Sequence, residues 1–299
     1  MFRIGGELEI GRMGYGTVQL LDVGVDAHGP IRPNVDPAKF LRKVVELGID
    51  LIDTADLYGP HVLEEQIAAA LAPYTANLLI STKGGLKRIA PGKLQADSRP
   101  EHLRKAVEGS LRRLRLDVLP LWTLHQIDDA IPVEEIVGTM GDLRREGKIR
   151  FLGLSKPDVP TLRRALAVER IESVQNRFNA ADQREGEVAD FCAAHGIAFQ
   201  AYFPLAGGQF ARLSHCVADI ARARGASVQQ IALAWLLTRS PAVLPIPGTA
   251  SIDELEANVA AGAMRLTEAE MDHVAERYAA LPPPTDAISQ VMVPRVAAG

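Results

Sequence analysis

Four residues of the sequence combine side-chain types that together could move a proton at a carbonyl group. They are a carboxylate, a phenol, an ammonium group and an imidazole: Asp53, Tyr58, Lys83 and His125. An isolated phenol has a pKa near 10 and is a poor proton donor near neutral pH, but a cationic neighbour lowers that pKa. The set predicts that Lys83 tunes Tyr58 and that Asp53 holds Lys83 in place and charged. His125 is predicted to donate a hydrogen bond to a substrate oxygen.

These residues and several other polar side chains stand at the ends of apolar runs. Parallel strands covered on both faces read as nearly continuous apolar runs, and a barrel of such strands carries its chemistry at their carboxyl ends. A single polar residue after a strand is usually a turn, surface or core residue, but six successive runs ending this way predict one shared pocket. In chain order the run ends carry Asp53, Lys83, His125, Ser155, Gln175-Asn176 and Tyr202.

The rhythm of the chain predicts eight strand–helix units. Eight short apolar runs, rich in Leu, Ile and Val, alternate with amphipathic segments that end at capping residues or glycine. The predicted strands are residues 13–20, 49–53, 77–83, 118–125, 149–155, 171–176, 197–205 and 242–248. The predicted helices are residues 36–48, 61–71, 100–114, 133–146, 159–168, 185–195 and 228–238, and one that begins at Ser251 with a capping box to Glu254.

Eight such units predict an α/β fold of the (β/α)8 TIM-barrel type, formed as a single domain over residues 1–299. Residues 2–10 predict an N-terminal β-hairpin on a Gly-Gly turn. Residues 217–224 and 268–279 predict two extra helices toward the C-terminus. The alternative is a doubly wound sheet, but its glycine-rich phosphate loop is missing because no G-x-G-x-x-G follows the first strand.

Composition excludes several classes of protein. The 299 residues are 47% hydrophobic and carry a formal charge of -4 with acids and bases mixed, so we expect a large core and no nucleic-acid partner. No apolar run approaches the ~18 residues of a membrane span, and the N-terminus lacks the apolar stretch of a signal peptide. The two cysteines, Cys192 and Cys216, show no metal-binding spacing. We expect a cytoplasmic protein without a metal site, either a monomer or a small homo-oligomer.

The motifs around these residues resemble those of the aldo-keto reductases, which are NAD(P)H-dependent barrel enzymes. The resemblance runs almost end to end, and it is strongest to the bacterial branch that includes a pyridoxal reductase. The details similar to that branch are Tyr58-Gly59-Pro60-His61, Phe203-Pro204-Leu205 and Pro247-Gly248-Thr249. The family motifs are GIDLIDTA at 48–55 with Tyr58-Gly59, Ser81-Thr82-Lys83, Leu124-His125, GKIRFLGLS at 147–155, Gln175-Asn176, Tyr202-Phe203-Pro204-Leu205, Ile246-Pro247-Gly248-Thr249 and Asn258.

The resemblance implies a role for each matching residue. Tyr58 would be the general acid that protonates the carbonyl oxygen as hydride arrives at the carbonyl carbon, with His125 orienting that carbonyl. Lys83 and Asp53 would tune the tyrosine. The implied cofactor-binding residues are Ser155 and Gln175 at the nicotinamide carboxamide, Tyr202 on the nicotinamide ring, Leu205 and Gly207 along the pyrophosphate, Thr249 and Ser251 at the adenosine phosphate, and Thr17 and Asn258 elsewhere in the site.

The sequence departs from the family pattern at the cofactor site. Lys156 follows the strand-end serine where many relatives have asparagine, and Ala257 stands where a glutamate is usual. Residues 253–256 lack the arginine that often favours the 2′-phosphate. The resemblance implies NADPH, and these departures leave NADH open.

The resemblance leaves more than one function open. The main hypothesis is reduction of an aldehyde or ketone to an alcohol, with pyridoxal among the candidate substrates. A tailoring ketoreductase of a biosynthetic pathway would share this chemistry, whereas a non-catalytic NADP(H)-binding redox-sensing subunit would not need it. Substrate choice is expected from residues 22–33 and the tail after Leu281, with Asp26, His28 and Arg88 as candidates.

Overall fold

The fold is an eight-stranded parallel barrel with helices around it, as the sequence predicts. The structure is a computed structural model, and it describes residues 1–21, 31–32, 34–90, 93–207 and 209–283. The barrel strands are β3 (Tyr15–Gly16), β4 (Leu51–Asp53), β5 (Leu79–Gly84), β8 (Leu119–Leu124), β9 (Ile149–Ser155), β10 (Ser173–Arg177), β11 (Ala198–Tyr202) and β12 (Val243–Pro245). They are hydrogen-bonded in chain order from β3 to β12, and each pair is parallel.

Hydrogen bonds between the first and last strands close the barrel. The Gly14 amide donates to the Pro245 carbonyl at 2.9 Å, and the Gly16 amide donates to the Pro247 carbonyl at 3.2 Å. A Cβ at Gly16 would lie 2.9 Å from the Ile246 carbonyl oxygen, so the two backbones approach too closely for a side chain. Glycine at this position is therefore required by space.

Helices cover the outside of the barrel. They are α1 (Pro37–Glu46), α2 (Val62–Leu71), α3 (Pro100–Leu114), α4 (Val133–Arg145), α5 (Val159–Leu166), α6 (Gly186–His195), α7 (Phe210–Arg224), α8 (Val228–Arg239), α9 (Ile252–Ala261) and α10 (Glu268–Ala279). Their apolar faces form the main core with the outward faces of the strands, where Trp122 and Trp235 are buried. The two extra helices predicted from the sequence are α7 and α10, and α7 begins at Phe210, earlier than predicted.

An N-terminal hairpin closes the amino-terminal end of the barrel, as predicted. Strands β1 (Phe2–Ile4) and β2 (Leu8–Ile10) pair antiparallel across a turn in which Gly5 and Gly6 have positive φ. Ile4 and Ile10 pack on the inner layer of the barrel, which consists of Leu51, Leu79, Leu121, Phe151, Ala198, Leu244 and Ile246. This apolar plug leaves the polar strand ends at the opposite end.

A second hairpin follows the third barrel strand, and the sequence analysis missed it. Strands β6 (Leu86–Ala90) and β7 (Lys93–Ala96) pair antiparallel. Leu86 and Leu94 are buried on one face of this hairpin, where they contact Leu57. The hairpin therefore packs against the turn that carries Tyr58.

Several predicted strands are shorter in the structure; the run at 242–248, for example, is a strand only at Val243–Pro245. The prediction of a strand over residues 13–20 is wrong beyond Gly16, because Thr17–Leu20 form a 3-10 helix. The run at 197–205 is a strand only to Tyr202, because Phe203 and Ala206 adopt positive φ and cannot continue an extended chain. After both β3 and β11 the chain turns at the carboxyl end of the barrel.

Candidate active site

A buried ion pair joins the ends of two neighbouring strands. Asp53 is the last residue of β4, and Lys83 lies near the end of β5. The Lys83 ammonium donates to both carboxylate oxygens of Asp53, at 2.7 and 2.6 Å, and to the Thr54 carbonyl at 2.7 Å. The side chains are 1% and 5% exposed, so the ion pair is shielded from water.

Tyr58 and His125 stand beside this ion pair. Tyr58 lies on the turn after β4, whose geometry is set by its amide donating to the Ala55 carbonyl at 3.2 Å. The Lys83 ammonium lies 5.4 Å from the centre of the tyrosine ring. The His125 ring meets it edge-on with ring centres 6.1 Å apart. The four residues predicted as catalytic therefore share one buried pocket.

The electrostatics of the pair Tyr58 and His125 differ from the expectation in one respect. Burial, followed by the negative charge of Asp53, raises the pKa of Tyr58 above its ordinary value. The predicted lowering of this pKa by Lys83 is not seen as a net effect, because burial and the charge of Asp53 dominate the shift. Burial and the positive charges of Lys83 and Lys156 lower the pKa of His125 well below its ordinary value. At neutral pH the phenol is therefore protonated and the imidazole is neutral.

The residues expected to bind nicotinamide lie on the strand ends that follow the four residues predicted as catalytic. Ser155 ends β9, and its hydroxyl donates to the Gln175 carbonyl at 3.0 Å. The Gln175 side-chain amide, from β10, donates to Asp53 at 2.8 Å, so this side chain is already engaged by the ion pair. Tyr202 ends β11, half-buried, with its ring against Phe203 at 5.4 Å. Of these three strand ends, Gln175 contacts the ion pair directly and Ser155 contacts Gln175.

The residues expected at the adenosine end form a separate group at the start of α9. Ser251 caps the helix by accepting from the Glu254 amide at 3.4 Å. The predicted capping box is wrong in its second half, because the Glu254 carboxylate accepts from the Thr249 hydroxyl and does not reach back to Ser251. The Ser251 amide donates to that same Thr249 hydroxyl at 3.0 Å. Asn258 is buried further along α9.

The remaining cofactor candidates lie on turns at the same end of the barrel. Thr17 begins the 3-10 helix after β3, and its buried hydroxyl has no hydrogen-bond partner within the described protein. Leu205 is half-buried against the core, and Gly207 has φ +49. A Cβ at Gly207 would lie 2.7 Å from the Phe203 ring, so the turn after β11 is tightly packed.

Two further features of the pocket were not identified as site residues from the sequence. Asp56 is buried and one of its carboxylate oxygens lacks a hydrogen-bond partner within the described protein. Burial and the neighbouring charge of Glu64 raise its pKa to about 8. Lys156, recognised only as a departure from the family, donates to the Gln126 side chain at 2.9 Å. Its place after a strand end was a usable signal, whereas its contact with Gln126 required the structure.

Several expected substrate residues cannot be compared with the structure. Asp26, His28 and most of residues 22–33 lie outside the described residues, as does the tail from residue 284, while Arg88 lies on β6. Within the described ranges, no three or more His, Cys, Asp or Glu side chains are grouped as a metal site. None of the helices in those ranges combines the length and the apolar character needed to cross a membrane.

Comparison with known proteins identifies the family. The model of the aldo/keto reductase family matches residues 12–279. Pyridoxine 4-dehydrogenase of Escherichia coli is 37% identical over 269 residues, covering 88% of this chain and 93% of that protein. This similarity agrees with the branch indicated by the sequence motifs.

Solved structures give the same result. A glycerol dehydrogenase from Gluconobacter oxydans superposes with a TM-score of 0.83 at 26% identity, covering 96% of this chain and 97% of the other. An aldo-keto reductase from Klebsiella pneumoniae in complex with NADPH superposes with a TM-score of 0.76 at 26% identity, covering 95% of each chain. The chain therefore belongs to the aldo/keto reductase family, whose members are NAD(P)H-dependent enzymes that act on carbonyl groups.

Proposed function

We propose that this protein reduces an aldehyde or ketone to the alcohol, with hydride from NADPH and a proton from Tyr58. The reaction consumes the carbonyl compound, the reduced cofactor and one proton, and yields the alcohol and the oxidised cofactor. The observation that carries the proposal is the convergence of Tyr58, His125 and the Asp53–Lys83 ion pair in one buried pocket. Such a pocket offers a proton and a hydrogen bond to the same carbonyl oxygen.

The protonation states support a division of labour between Tyr58 and His125. The raised pKa of Tyr58 keeps the phenol protonated at neutral pH, as a general acid requires. The alkoxide that forms when hydride reaches a carbonyl is a much stronger base than a phenolate, so it takes this proton. The lowered pKa of His125 keeps the imidazole neutral, and a neutral imidazole still donates one N–H bond to the carbonyl oxygen.

Lys83 acts on Tyr58 through charge. Its ammonium lies 5.4 Å from the phenol ring, close enough to stabilise the phenolate left after proton transfer. Asp53 holds the ammonium in position, and Gln175 in turn hydrogen-bonds Asp53 at 2.8 Å. In this proposal the Lys83 ammonium, held beside the ring by Asp53, stabilises the phenolate more than the neutral phenol.

The residues around the pocket fit a nicotinamide cofactor, which supplies the hydride when bound. The buried Thr17 hydroxyl and His125 Nδ1 have no partner within the described protein, as expected for groups that face a bound molecule. Ser155 ends β9 and Tyr202 ends β11, on either side of β10. A hydroxyl and an aromatic face at these positions suit a ring that bears an amide. The N-terminus of α9 offers backbone N–H groups that suit the phosphate end.

The preference between NADPH and NADH rests on the first turn of α9. The NADPH-bound relative favours NADPH for this chain. Against it, the first turn carries Asp253 and Glu254, and carboxylates there disfavour a further phosphate. Because Glu254 is hydrogen-bonded to Thr249, its charge is partly satisfied, and we propose NADPH as the preferred cofactor with NADH as a weaker alternative.

The substrate proposal starts from the pyridoxine 4-dehydrogenase relative at 37% identity. Pyridoxal is the aldehyde that corresponds to that relative's name, so it leads the candidates. A sugar ketone or polyketide ketone would use the same four residues. The residues that line the substrate pocket, and not these four, would determine which of these carbonyl compounds binds.

The test is cofactor consumption against a panel of aldehydes and ketones that includes pyridoxal, for wild type and Tyr58→Phe. We expect the wild type to oxidise NADPH with at least one substrate and Tyr58→Phe to lose at least about a hundredfold in kcat with an unchanged cofactor Kd. The matched control is Tyr74→Phe, since Tyr74 donates its hydroxyl to the Leu114 carbonyl away from the pocket. Tight cofactor binding without turnover in wild type would favour the redox-sensing alternative.

We further propose that residues 1–299 form one cytoplasmic unit, as a monomer or small homo-oligomer. Barrel strands drawn from residues 15–245 form a single sheet, which supports one domain. Cys192 and Cys216 are both buried and free, as expected in a reducing compartment. Light scattering of the purified protein would give its oligomeric state, and fractionation of the cells that make it would give its location.

A further inference from the structure

Lys156 is held at the pocket by its own backbone. It is the first residue after β9, with φ +61, a conformation that costs energy for a residue other than glycine. Its amide lies 3.1 Å from the Gln175 carbonyl and 2.9 Å from the Asn176 side-chain oxygen, and both accept from it. Two hydrogen bonds to the neighbouring strand therefore fix where this side chain starts.

The side chain crosses to the end of the adjacent strand, next to the catalytic histidine. Its ammonium donates to Gln126 Oε1 at 2.9 Å, and Gln126 directly follows His125 in the chain. The charge of Lys156 is among the causes that lower the pKa of His125, after burial and Lys83. Lys156 is therefore close to the group that is expected to hold the substrate carbonyl.

The charge of Lys156 lacks a protein partner within the described residues. No carboxylate there lies within 4.0 Å of its ammonium, although the side chain is partly buried. Lys83 and Arg113 are paired with carboxylates, Asp53 and Glu64, and the partly buried Arg12 donates to three backbone carbonyls, whereas Lys156 has the Gln126 side chain alone. Burying an unpaired charge is costly, and it lowers the pKa of Lys156 to about 8, so the amine stays mostly charged at neutral pH.

We infer that Lys156 is a specificity residue that binds an anionic oxygen group carried by the substrate close to its reacting carbonyl. An ammonium has three donors, and Gln126 accepts only one of them. A carboxylate or phosphate on the substrate would supply both the missing charge and the missing acceptors. The inference rests on the proposed function, because it assumes that the carbonyl lies at Tyr58 and His125.

The test compares matched anionic and neutral substrates in wild type, Lys156→Met and Lys156→Arg. The carboxylate pair is 2-carboxybenzaldehyde and its methyl ester, and the phosphate pair is pyridoxal 5′-phosphate and pyridoxal. We expect Lys156→Met to lower kcat/KM for at least one anionic member by about tenfold or more, with less than about a twofold change for its neutral partner. Lys156→Arg should retain most of the preference. The pair that responds identifies carboxylate or phosphate as the anion.

The matched control is Lys148→Met, because Lys148 precedes the opposite end of the same strand and is paired with Glu108 and Glu146. It should leave both ratios unchanged. Equal losses on both members of each pair, together with weaker NADPH binding, would assign Lys156 to the nicotinamide and overturn the inference. Unchanged ratios in Lys156→Met, with turnover still dependent on Tyr58, would overturn it while the proposed function stands.

A binding measurement tests the inference without turnover. Phthalamate, which carries an unreactive amide carbonyl beside a separate carboxylate, is titrated into the protein loaded with NADP⁺, and its Kd is measured by calorimetry for wild type and Lys156→Met. We expect about a tenfold weaker Kd in the variant, and an equal Kd would contradict the inference. Failure of the proposed function would instead appear as absence of turnover on every neutral substrate in wild type.

Discussion

Removing one member of the Asp53–Lys83 pair should be costly, because the other charge then stays buried. For Lys83→Met we predict a free energy of unfolding lower by about 3–5 kcal/mol. The double variant Asp53→Asn/Lys83→Met should recover a large part of that loss, since no uncompensated charge is left. Urea unfolding of the two variants and wild type measures both differences. A double variant less stable than Lys83→Met would contradict this account.

An exposed ion pair provides the control. Arg3 and Glu9 lie 3.2 Å apart on the N-terminal hairpin with side chains 62% and 53% exposed. Because water already solvates both charges, Arg3→Met should change the free energy of unfolding by less than about 1 kcal/mol.

Asp56 makes stability depend on pH. Its pKa is raised to about 8, so the folded protein holds a proton that the unfolded chain releases near pH 4. The contribution of this group to stability is therefore full at acidic pH and is lost as pH rises from about 4 to about 8. We predict that the stability of wild type minus that of Asp56→Asn falls by about 1–3 kcal/mol between pH 5 and pH 7. Urea unfolding at both pH values tests this, and a constant difference would contradict it.

At the scale of single residues, sequence reasoning was strong on residue type and weak on partners. Strand ends predicted where Asp53, Lys83 and His125 lie, because parallel strands in one barrel end at one rim. The sequence could not predict that the Glu254 carboxylate accepts a hydrogen bond from Thr249 and leaves the capping box open. It also could not predict that Lys156 donates to Gln126. Such choices depend on side-chain rotamers and on competing acceptors in three dimensions.

At the scale of elements, the second hairpin supports the turn that carries Tyr58. Leu94 on β7 is 3% exposed and packs with Leu86 and with Leu57, the neighbour of Tyr58. We predict that Leu94→Ala lowers the free energy of unfolding by about 2–3 kcal/mol through the cavity it leaves. Because Leu57 loses packing, kcat/KM for the carbonyl should fall as well, and amide hydrogen exchange should quicken over residues 84–96. Gln95→Ala, on the exposed side of the same strand, should change none of these.

The hairpin escaped the sequence analysis for a physical reason. Buried parallel strands leave long apolar runs, whereas β6 and β7 each bury a single residue, Leu86 and Leu94, and their short segments read as polar. The Pro91-Gly92 pair between them was the available turn signal in the sequence. The strand at β3 was overestimated for the opposite reason, since an apolar run alone cannot distinguish an extended chain from a 3-10 turn.

At the scale of the whole molecule, barrel closure brings the two halves of the proposed cofactor site together. Thr17 follows β3, while Thr249 and α9 follow β12, so the two sides meet only where the first and last strands join. The Tyr15 hydroxyl donates to the Thr249 carbonyl at 2.8 Å across this seam. The periodicity of the sequence predicted eight strand–helix units, and the barrel fold class implied that the first and last strands meet. The glycine contacts that permit this closure could not be predicted, because they join residues more than two hundred positions apart in the chain.

Closure should therefore be sensitive to a single methyl group at the seam. In Gly16→Ala the new Cβ would lie 2.9 Å from the Ile246 carbonyl oxygen, and this neighbour is backbone that cannot rotate away. We predict a loss of about 1–3 kcal/mol in the free energy of unfolding and a weaker Kd for NADPH, since Thr17 and Thr249 would move apart. Urea unfolding and fluorescence titration measure the two effects.

Gly138→Ala is the control, because Gly138 lies in α4 with no atom within 4 Å of its added Cβ, and alanine there should stabilise the helix by about 0.5–1 kcal/mol. Equal stability of Gly16→Ala and wild type would mean that the seam yields without strain, and the glycine would then have no structural role in closing the barrel.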